Sequence, residues 1–312
     1  MAFRSQRVLV TGARGFTGNP LVERLRQDGH EVVALSRKDN DGREVDVDLR
    51  DFDGLMRMLS QLRPAAVVHL AGIATLNHGD IGEIYSTNVV GTATLFAALA
   101  AAKIEPGIVI VASSGQLYAP TEDGAPLGED APLAPKSHYA VSKHAAEEIA
   151  AVYARQFRII VTRPFNYTGP GQTTSFLVPK IVRHYAERRG EIRLGNLDVF
   201  RDFSDIDRVV EAYARLVTRS IDPTTVNICS GRVVYLADVV KIMTELSGHS
   251  MRVLTDRALL RADEPRVIVG SPARLESLVG PLPNPEFRDT LARMFEAMCD
   301  ATREPAKGAA PP

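Results

Sequence analysis

The hexapeptide HYAVSK places a phenol, Tyr139, and an ammonium, Lys143, four residues apart. On a helix that spacing puts both side chains on one face. An ammonium beside a phenol favours phenolate, so the pair predicts a tyrosine of lowered pKa that exchanges protons near neutrality. A third group comes from SSGQLY, Ser113 to Tyr118, which follows the apolar run Ile108 to Ala112. Ser114 would hydrogen-bond a carbonyl or alcohol oxygen alongside Tyr139, with Ser113 as support and Tyr118 packed. Proton exchange at an oxygen is the chemistry such a set can do. Gln116 marks its limit: an acid there could move a proton at carbon, whereas an amide can only orient a hydroxyl.

For the set to work, SSGQLY must end a strand and HYAVSK must open a neighbouring helix. Strand-like β-branched runs at 7–11, 31–36, 66–70, 107–113 and 158–163 alternate with helical patterns at 17–27, 52–61, 81–102 and 137–155. That alternation predicts an α/β fold with a parallel sheet covered by helices on both faces. After Arg163 the rhythm breaks, and RPFNYTGPGQ reads as loop. Helices near 176–189, 205–218, 236–247 and 286–300, with short strands near 225–228 and 251–255, predict a smaller α/β lobe. The expected division is a first domain over 1–165, a mainly substrate-facing lobe over 166–302, some of which returns to the sheet, and a disordered tail over 303–312.

VLVTGARGFTG sets Gly12, Gly15 and Gly18 between the first strand and the first helix, with Arg14, Phe16 and Thr17 among them. A tight turn at a helix N-terminus, open to close backbone approach, suits a dinucleotide pyrophosphate. The fold expected is therefore a Rossmann-type doubly wound sheet. The second strand ends in Ser36, Arg37 and Lys38 rather than in an acid. A cation beside a hydroxyl, with Arg14 adding charge, suits a 2′-phosphate, so NADPH is favoured over NADH. Asp48 and Leu49 fit an adenine edge, and Leu70, Ala71 and Gly72 follow the fourth strand where backbone can approach the cofactor. His69 reads as a packed histidine.

Composition narrows the partners. The chain of 312 residues has a net charge of −1, which gives no global field for nucleic acid or an anionic membrane. Its two cysteines, Cys229 and Cys299, lie far apart without metal-ligand spacing, so neither a metal site nor a disulfide framework is expected. The N-terminal sequence enters a strand without a signal-peptide pattern, and the small-apolar stretch Thr92 to Ala102 is too short to span a bilayer. A cytoplasmic protein is expected.

Together TGARGFTG, HLAG, the Asn88 of NVVGT, SSGQLY, YAVSK and RPFN resemble the extended short-chain dehydrogenase/reductase family over nearly the whole chain. The resemblance implies a Ser114–Tyr139–Lys143 triad and places Asn88, Tyr139, Lys143 and Arg163 around the cofactor. It also implies a C-terminal lobe that holds a nucleoside-diphosphate sugar, and a homodimer formed through a helix bundle. Within the family, RPFNYTGPGQ, FLVPKI and GNLDVFRDFSD look most like the GDP-mannose 4,6-dehydratase and GDP-4-keto-6-deoxy-mannose reductase branch. Carried over residue by residue, this assigns the sugar diphosphate and nucleoside to Asn166, Phe176, Val178, Lys180, Asn196, Arg201, Arg261 and Glu264, with Ser114 and Gln116 near the sugar. Ala262 stands where the branch has a proline, Tyr167 where its reductases have histidine, and Ala119 where a glycine is usual.

Dehydratases of this family carry an acid in the segment matching Gly115-Gln116. This chain has none there, so the expected activity is NADPH-dependent reduction of a 4-keto-6-deoxy sugar, GDP-linked or dTDP-linked, to a rhamnose-type or talose-type product. A nucleotide-sugar 4-epimerase that retains NAD uses the same triad and remains an alternative, as does a nucleotide-binding module without catalysis.

Overall fold

The computed structural model describes residues 5–36, 44–74, 80–260 and 264–303. The expectations for Arg37, Lys38, Arg261, Ala262 and the tail beyond 303 lie outside these residues. The apolar runs form the strands: β1 (Arg7–Thr11), β2 (Glu31–Leu35), β3 (Glu44–Val45), β4 (Ala66–His69), β5 (Ile108–Ala112) and β6 (Ile159–Pro164). The helices between them are α1 (Gly18–Gln27), α2 (Phe52–Leu62), α3 (Ile81–Tyr85), α4 (Gly91–Ala101) and α5 (His138–Val152). The rest of the chain supplies β7 (Asn166–Thr168), α6 (Leu177–Ala186), β8 (Glu191–Leu194), β9 (Phe200–Asp205), α7 (Ile206–Thr218) and β10 (Thr224–Ile228). It continues with β11 (Val233–Tyr235), α8 (Leu236–Ser247), β12 (Arg252–Thr255), β13 (Val267–Ile268), α9 (Ala273–Val279) and α10 (Phe287–Arg303).

Seven strands form one parallel sheet in the order β10-β6-β5-β4-β1-β2-β3. Val8, Leu9 and Val10 are fully buried, because helices cover both faces and leave no polar side to the strand. One face packs Val8, Val10, Leu21, Leu25, Val209, Tyr213 and Leu216 beneath α1 and α7. The other packs Leu9, Leu55, Leu59, Leu95, Phe96 and Leu99 beneath α2 and α4. The continuous helix Ile81–Ala101, which contains most of the apolar stretch Thr92–Ala102, is long and apolar enough to cross a membrane by length and composition. Leu95, Phe96, Ala98 and Leu99 on it are instead buried against the sheet and its neighbours.

Asp51 caps α2 by accepting a hydrogen bond from the Gly54 amide at 2.9 Å. Asp51→Ala is expected to cost about 1 kcal/mol of stability, read as a lowered denaturant midpoint at unchanged slope.

The second half departs from the sequence-based expectation at two places. RPFNYTGPGQ reads as loop, yet Asn166–Thr168 is a strand pairing in parallel with Phe203, Ser204 and Asp205. The charged stretch Phe200–Asp205 is the hub of a small separate sheet that also holds β11 and β13. Both strands are short and rich in polar residues, so neither shows a β-period in sequence. Beneath them Val178, Ile181, Tyr185, Val239, Met243 and Met294 make the lobe's own core, while α7 and β10 return to the main sheet.

Candidate active site

The strand order reverses between β1 and β4, and in open α/β sheets ligands bind at such a switch point, outside the carboxyl ends of the strands. Gly12, directly after β1, has φ +68, and a Cβ there would lie 2.7 Å from the Ala71 amide nitrogen. A Cβ on Gly18 would lie 2.7 Å from Ala13 Cα, so α1 can start against the turn only with glycine there. On the far side, a Cβ on Gly72 would stand 3.0 Å from both Asn88 Oδ1 and Lys143 Nζ. Bare backbone at 12, 18 and 72 thus forms a cradle that fits a dinucleotide, with the N-terminus of α1 aimed at its phosphates. Arg14 is exposed and Ser36 half-buried beside this cradle.

His69 at the end of β4 is a structural residue. Its ring meets Thr11 Oγ1 at 2.7 Å and Thr92 Oγ1 at 2.9 Å, and burial lowers its pKa to about 3, so it stays neutral. Thr92 in turn donates to the Asn88 carbonyl at 2.6 Å. Asn88 sits in a π-helical turn, Ser86–Val90, of the kind that often marks functional positions. Its amide grips the Ile73 backbone on both sides, Oδ1 accepting at 2.7 Å and Nδ2 donating at 3.1 Å. Nδ2 also reaches Ser142 Oγ at 2.9 Å, and Ser142 donates to the Tyr139 carbonyl at 2.7 Å. This chain of bonds fixes α5 relative to the loop that carries Ala71 and Gly72.

Ser137 caps α5 through the Ala140 amide at 3.1 Å, which sets Tyr139 and Lys143 in its first two turns. Tyr139 and Ser114 are both buried, and the Ser114 hydroxyl is near enough to act on the Tyr139 phenol. Ser114 Oγ also accepts from the Gln116 amide at 3.1 Å and so caps the short turn Gly115–Leu117. Lys143 Nζ donates to the Ala112 carbonyl at 2.8 Å. The pKa expectation for Tyr139 needs correction: burial pushes it up to about 12, partly offset by the neighbouring Ser114 hydroxyl and reinforced by Tyr167. Burial lowers Lys143 to about 8, against the pull of Glu147 one turn on. Desolvation is the largest cause of both shifts, and the phenol keeps its proton at neutral pH. A buried, protonated phenol beside the Ser114 hydroxyl is chemically able to give a proton to a developing alkoxide.

Gly115 and Gln116 divide the rest of the rim. A Cβ on Gly115 would come within 2.8 Å of the Phe165 ring, so a side chain there requires Phe165 to move. Gln116 is exposed to solvent. Tyr118 packs as expected, donating to Asn227 Oδ1 at 2.7 Å, while the Ser113 hydroxyl is buried without a partner among the described residues.

Several site expectations are placed elsewhere. The guanidinium of Arg163 is buried and forked onto Glu147 at 2.8 and 2.7 Å, with its other arm on Tyr118 Oη at 3.0 Å. Its side chain is therefore an internal tie between β6 and α5 rather than a cofactor contact. Asp48 holds Arg50 through both carboxylate oxygens, so an adenine contact would have to share them, and Leu49 packs on the core. Val178 lies in the core of the lobe, which leaves it only backbone to offer a nucleoside. Lys180 donates to the Arg193 carbonyl at 2.9 Å, and exposed Asn196 accepts from the Asp198 amide at 2.9 Å. Asn166 donates to the Asp202 carbonyl at 3.2 Å. Arg201 and Glu264, both assigned to the nucleotide, bond each other at 3.0 Å.

Sequence reasoning passed over Ser142, which no motif singles out, and left Tyr167 as an unexplained difference. Tyr167 Oη lies 2.8 Å from Thr17 Oγ1, and its ring stacks on Phe16 at 5.7 Å.

Comparison with known proteins agrees with this geometry. Residues 8–229 match the NAD dependent epimerase/dehydratase family. GDP-6-deoxy-D-talose 4-dehydrogenase of Aggregatibacter actinomycetemcomitans is 31% identical over 276 residues, 88% of this chain and 91% of that protein. GDP-6-deoxy-D-mannose reductase of Pseudomonas aeruginosa is 31% identical over 310 residues, covering 96% and 99%. The solved structure of RMD from Pseudomonas aeruginosa complexed with NADPH superposes with a TM-score of 0.84 at 29% identity, covering 95% of this chain and 100% of that one. With a dinucleotide cradle facing a Ser114–Tyr139–Lys143 set on a doubly wound sheet, the protein is an NAD(P)-dependent enzyme of the extended short-chain dehydrogenase/reductase type, and the chain belongs to the NAD dependent epimerase/dehydratase family.

Proposed function

We propose that the protein reduces the C4 ketone of a nucleoside-diphosphate 4-keto-6-deoxyhexose, GDP-linked by preference, with NADPH as the reductant. The observation that carries this reading is Tyr139, buried next to Ser114 and kept protonated by that burial, beside a rim where Gly115 is closed by Phe165 and position 116 holds an amide. Such a site can complete a ketone reduction and lacks the acid or base that removal of a C5 proton demands. The bound cofactor supplies the hydride. Ser114 holds the ketone oxygen, Tyr139 gives its proton to that oxygen as negative charge develops, and Lys143 supplies the positive field nearby. The named substrates of the two relatives, a GDP-linked talose and a GDP-linked mannose derivative, support the base and leave both product configurations open.

NADPH over NADH is supported by Arg14 and Ser36 beside the cradle and by Arg37 in the sequence that follows. Asn166, Lys180, Asn196, Arg201 and Glu264 would hold the nucleotide, with the Arg201–Glu264 pair opening to admit phosphate. A second copy would pack on α5 and the π-helical turn before α4, where Val90, Val141 and Val152 are exposed. The reaction suits cytoplasmic supply of surface-polysaccharide precursors.

Incubation with NADPH and GDP-4-keto-6-deoxymannose is expected to consume NADPH mole for mole with sugar reduced, followed by the cofactor's absorbance. Absence of consumption with every GDP- and dTDP-linked 4-keto sugar would overturn the reading. Interconversion of 4-epimers with no net use of NADPH would establish the epimerase instead.

A further inference from the structure

We propose that Tyr167 is a positioning residue that ties the substrate lobe to the dinucleotide turn, so that one hydroxyl pair sets the register between the two halves of the site. Tyr167 and Thr17 are separated by 150 residues, yet their hydroxyls lie 2.8 Å apart in a partly buried contact. Thr17 is the residue that precedes α1 and makes no side-chain cap bond to its own helix, so its hydroxyl serves the contact with Tyr167 instead. The Tyr167 ring lies nearly parallel to Phe16, with an interplanar angle of 10°. Bond and stack together pin two consecutive residues of the glycine turn from the opposite lobe.

The other end of the tie is equally firm. Tyr167 is the middle residue of β7 and pairs with Ser204 of β9, the strand that also carries Arg201 and Asp202. Asp202 accepts from the Ser230, Gly231 and Gly270 amides, which anchors β9 to the end of β10 and to the loop after β13. Asn166, the neighbour of Tyr167, donates to the Asp202 carbonyl at 3.2 Å. A shift of the glycine turn therefore reaches the strand that presents the polar side chains of the lobe. Were a cofactor held on the turn to react with a substrate held by the lobe, misplacement of one half by ~1 Å would be costly.

The inference concerns the cofactor turn, and its test needs no sugar, so failure of the proposed reductase activity would leave it standing. Tyr167→Phe keeps the ring and removes the hydroxyl, Thr17→Val removes the other hydroxyl, and Thr17→Ser keeps it. NADPH affinity is measured by fluorescence titration well below each variant's melting temperature. Tyr167→Phe and Thr17→Val are each expected to weaken binding roughly 2- to 10-fold, the span of one hydrogen bond. The double variant should be no weaker than either single one, and Thr17→Ser should bind like the unaltered protein. Unchanged affinity with only a lowered melting temperature, or strictly additive losses in the double variant, would overturn the proposal. Should Thr17→Val fail to fold, Tyr167→Phe against Thr17→Ser still decides it: equal affinities would refute the tie.

Discussion

Tyr139→Phe is expected to lower kcat for ketone reduction by about two to four powers of ten while cofactor affinity stays within a few-fold. The substitution removes one hydroxyl from a ring that is otherwise held in place by α5 and its neighbours. On the proposed reading, what is lost is the proton that Tyr139 would deliver, and general acid catalysis is worth roughly 10²–10⁴ in rate. Ser114 Oγ keeps its contact with the Gln116 amide. Turnover and a cofactor titration separate the two effects, and turnover within tenfold of the unaltered protein would remove Tyr139 from its role. The pH profile follows from the same groups. In the reductive direction the acid must be protonated and the cation charged. Tyr139 at about 12 keeps its proton through the alkaline range, whereas Lys143 at about 8 loses its charge first. The kcat/KM for the cofactor, which reports groups of the free enzyme, should therefore be level through neutrality and fall as pH rises through about 8.

The sheet was legible because its strands are buried on both faces. Runs such as Val8 to Val10 and Ile108 to Val111 have no polar alternation to confuse with anything else. The glycine turn was legible for a similar reason, since Gly12 and Gly18 there leave no room for a side chain without strain. Local motifs on one helix or one strand end carried Ser114, Tyr139 and Lys143 to the same place. Reading failed where a residue's role depends on what approaches from elsewhere. Arg163 ends a strand that points at the site, and only Glu147 on α5 and Tyr118 reveal that its charge is turned inward. Val178 sits in a segment assigned to the nucleoside, yet the helix it begins is oriented by Ile181, Tyr185 and Met243, which place it in the core. The lowered pKa expected for Tyr139 counted a neighbouring charge and not the burial of both groups, and burial prevails. Asn166–Thr168 pairs with a strand some 35 residues on, and no local period announces a strand of three residues.

Gly12→Val is expected to abolish productive cofactor binding and to destabilise the fold as well. Two separate penalties apply at this position. The backbone is left-handed, φ +68, which costs an L-residue about 1–2 kcal/mol and more when the side chain is β-branched. The new Cβ would also fall 2.7 Å from the Ala71 amide and 2.8 Å from its Cα, both backbone atoms, and overpacking of this kind costs roughly 1–3 kcal/mol. Neither neighbour can yield cheaply. Thr11 pairs with His69 in the sheet, and Thr11 Oγ1 accepts from the Ala71 amide at 3.2 Å, so β1 and the loop after β4 are clamped together at this point. The strain must then either open the turn or separate the strand ends. Opening the turn at a cost of about 3 kcal/mol lowers cofactor affinity by roughly two powers of ten, and separating the strand ends lowers the denaturant midpoint instead. Gly29 supplies the contrast, because it has φ +83 with nothing within 4 Å of a built Cβ. Gly29→Ala should show the conformational cost alone, with cofactor affinity unchanged. If Gly12→Val binds NADPH as tightly and resists denaturant as well as the unaltered protein, the close approach of β1 and β4 is not what shapes the cradle.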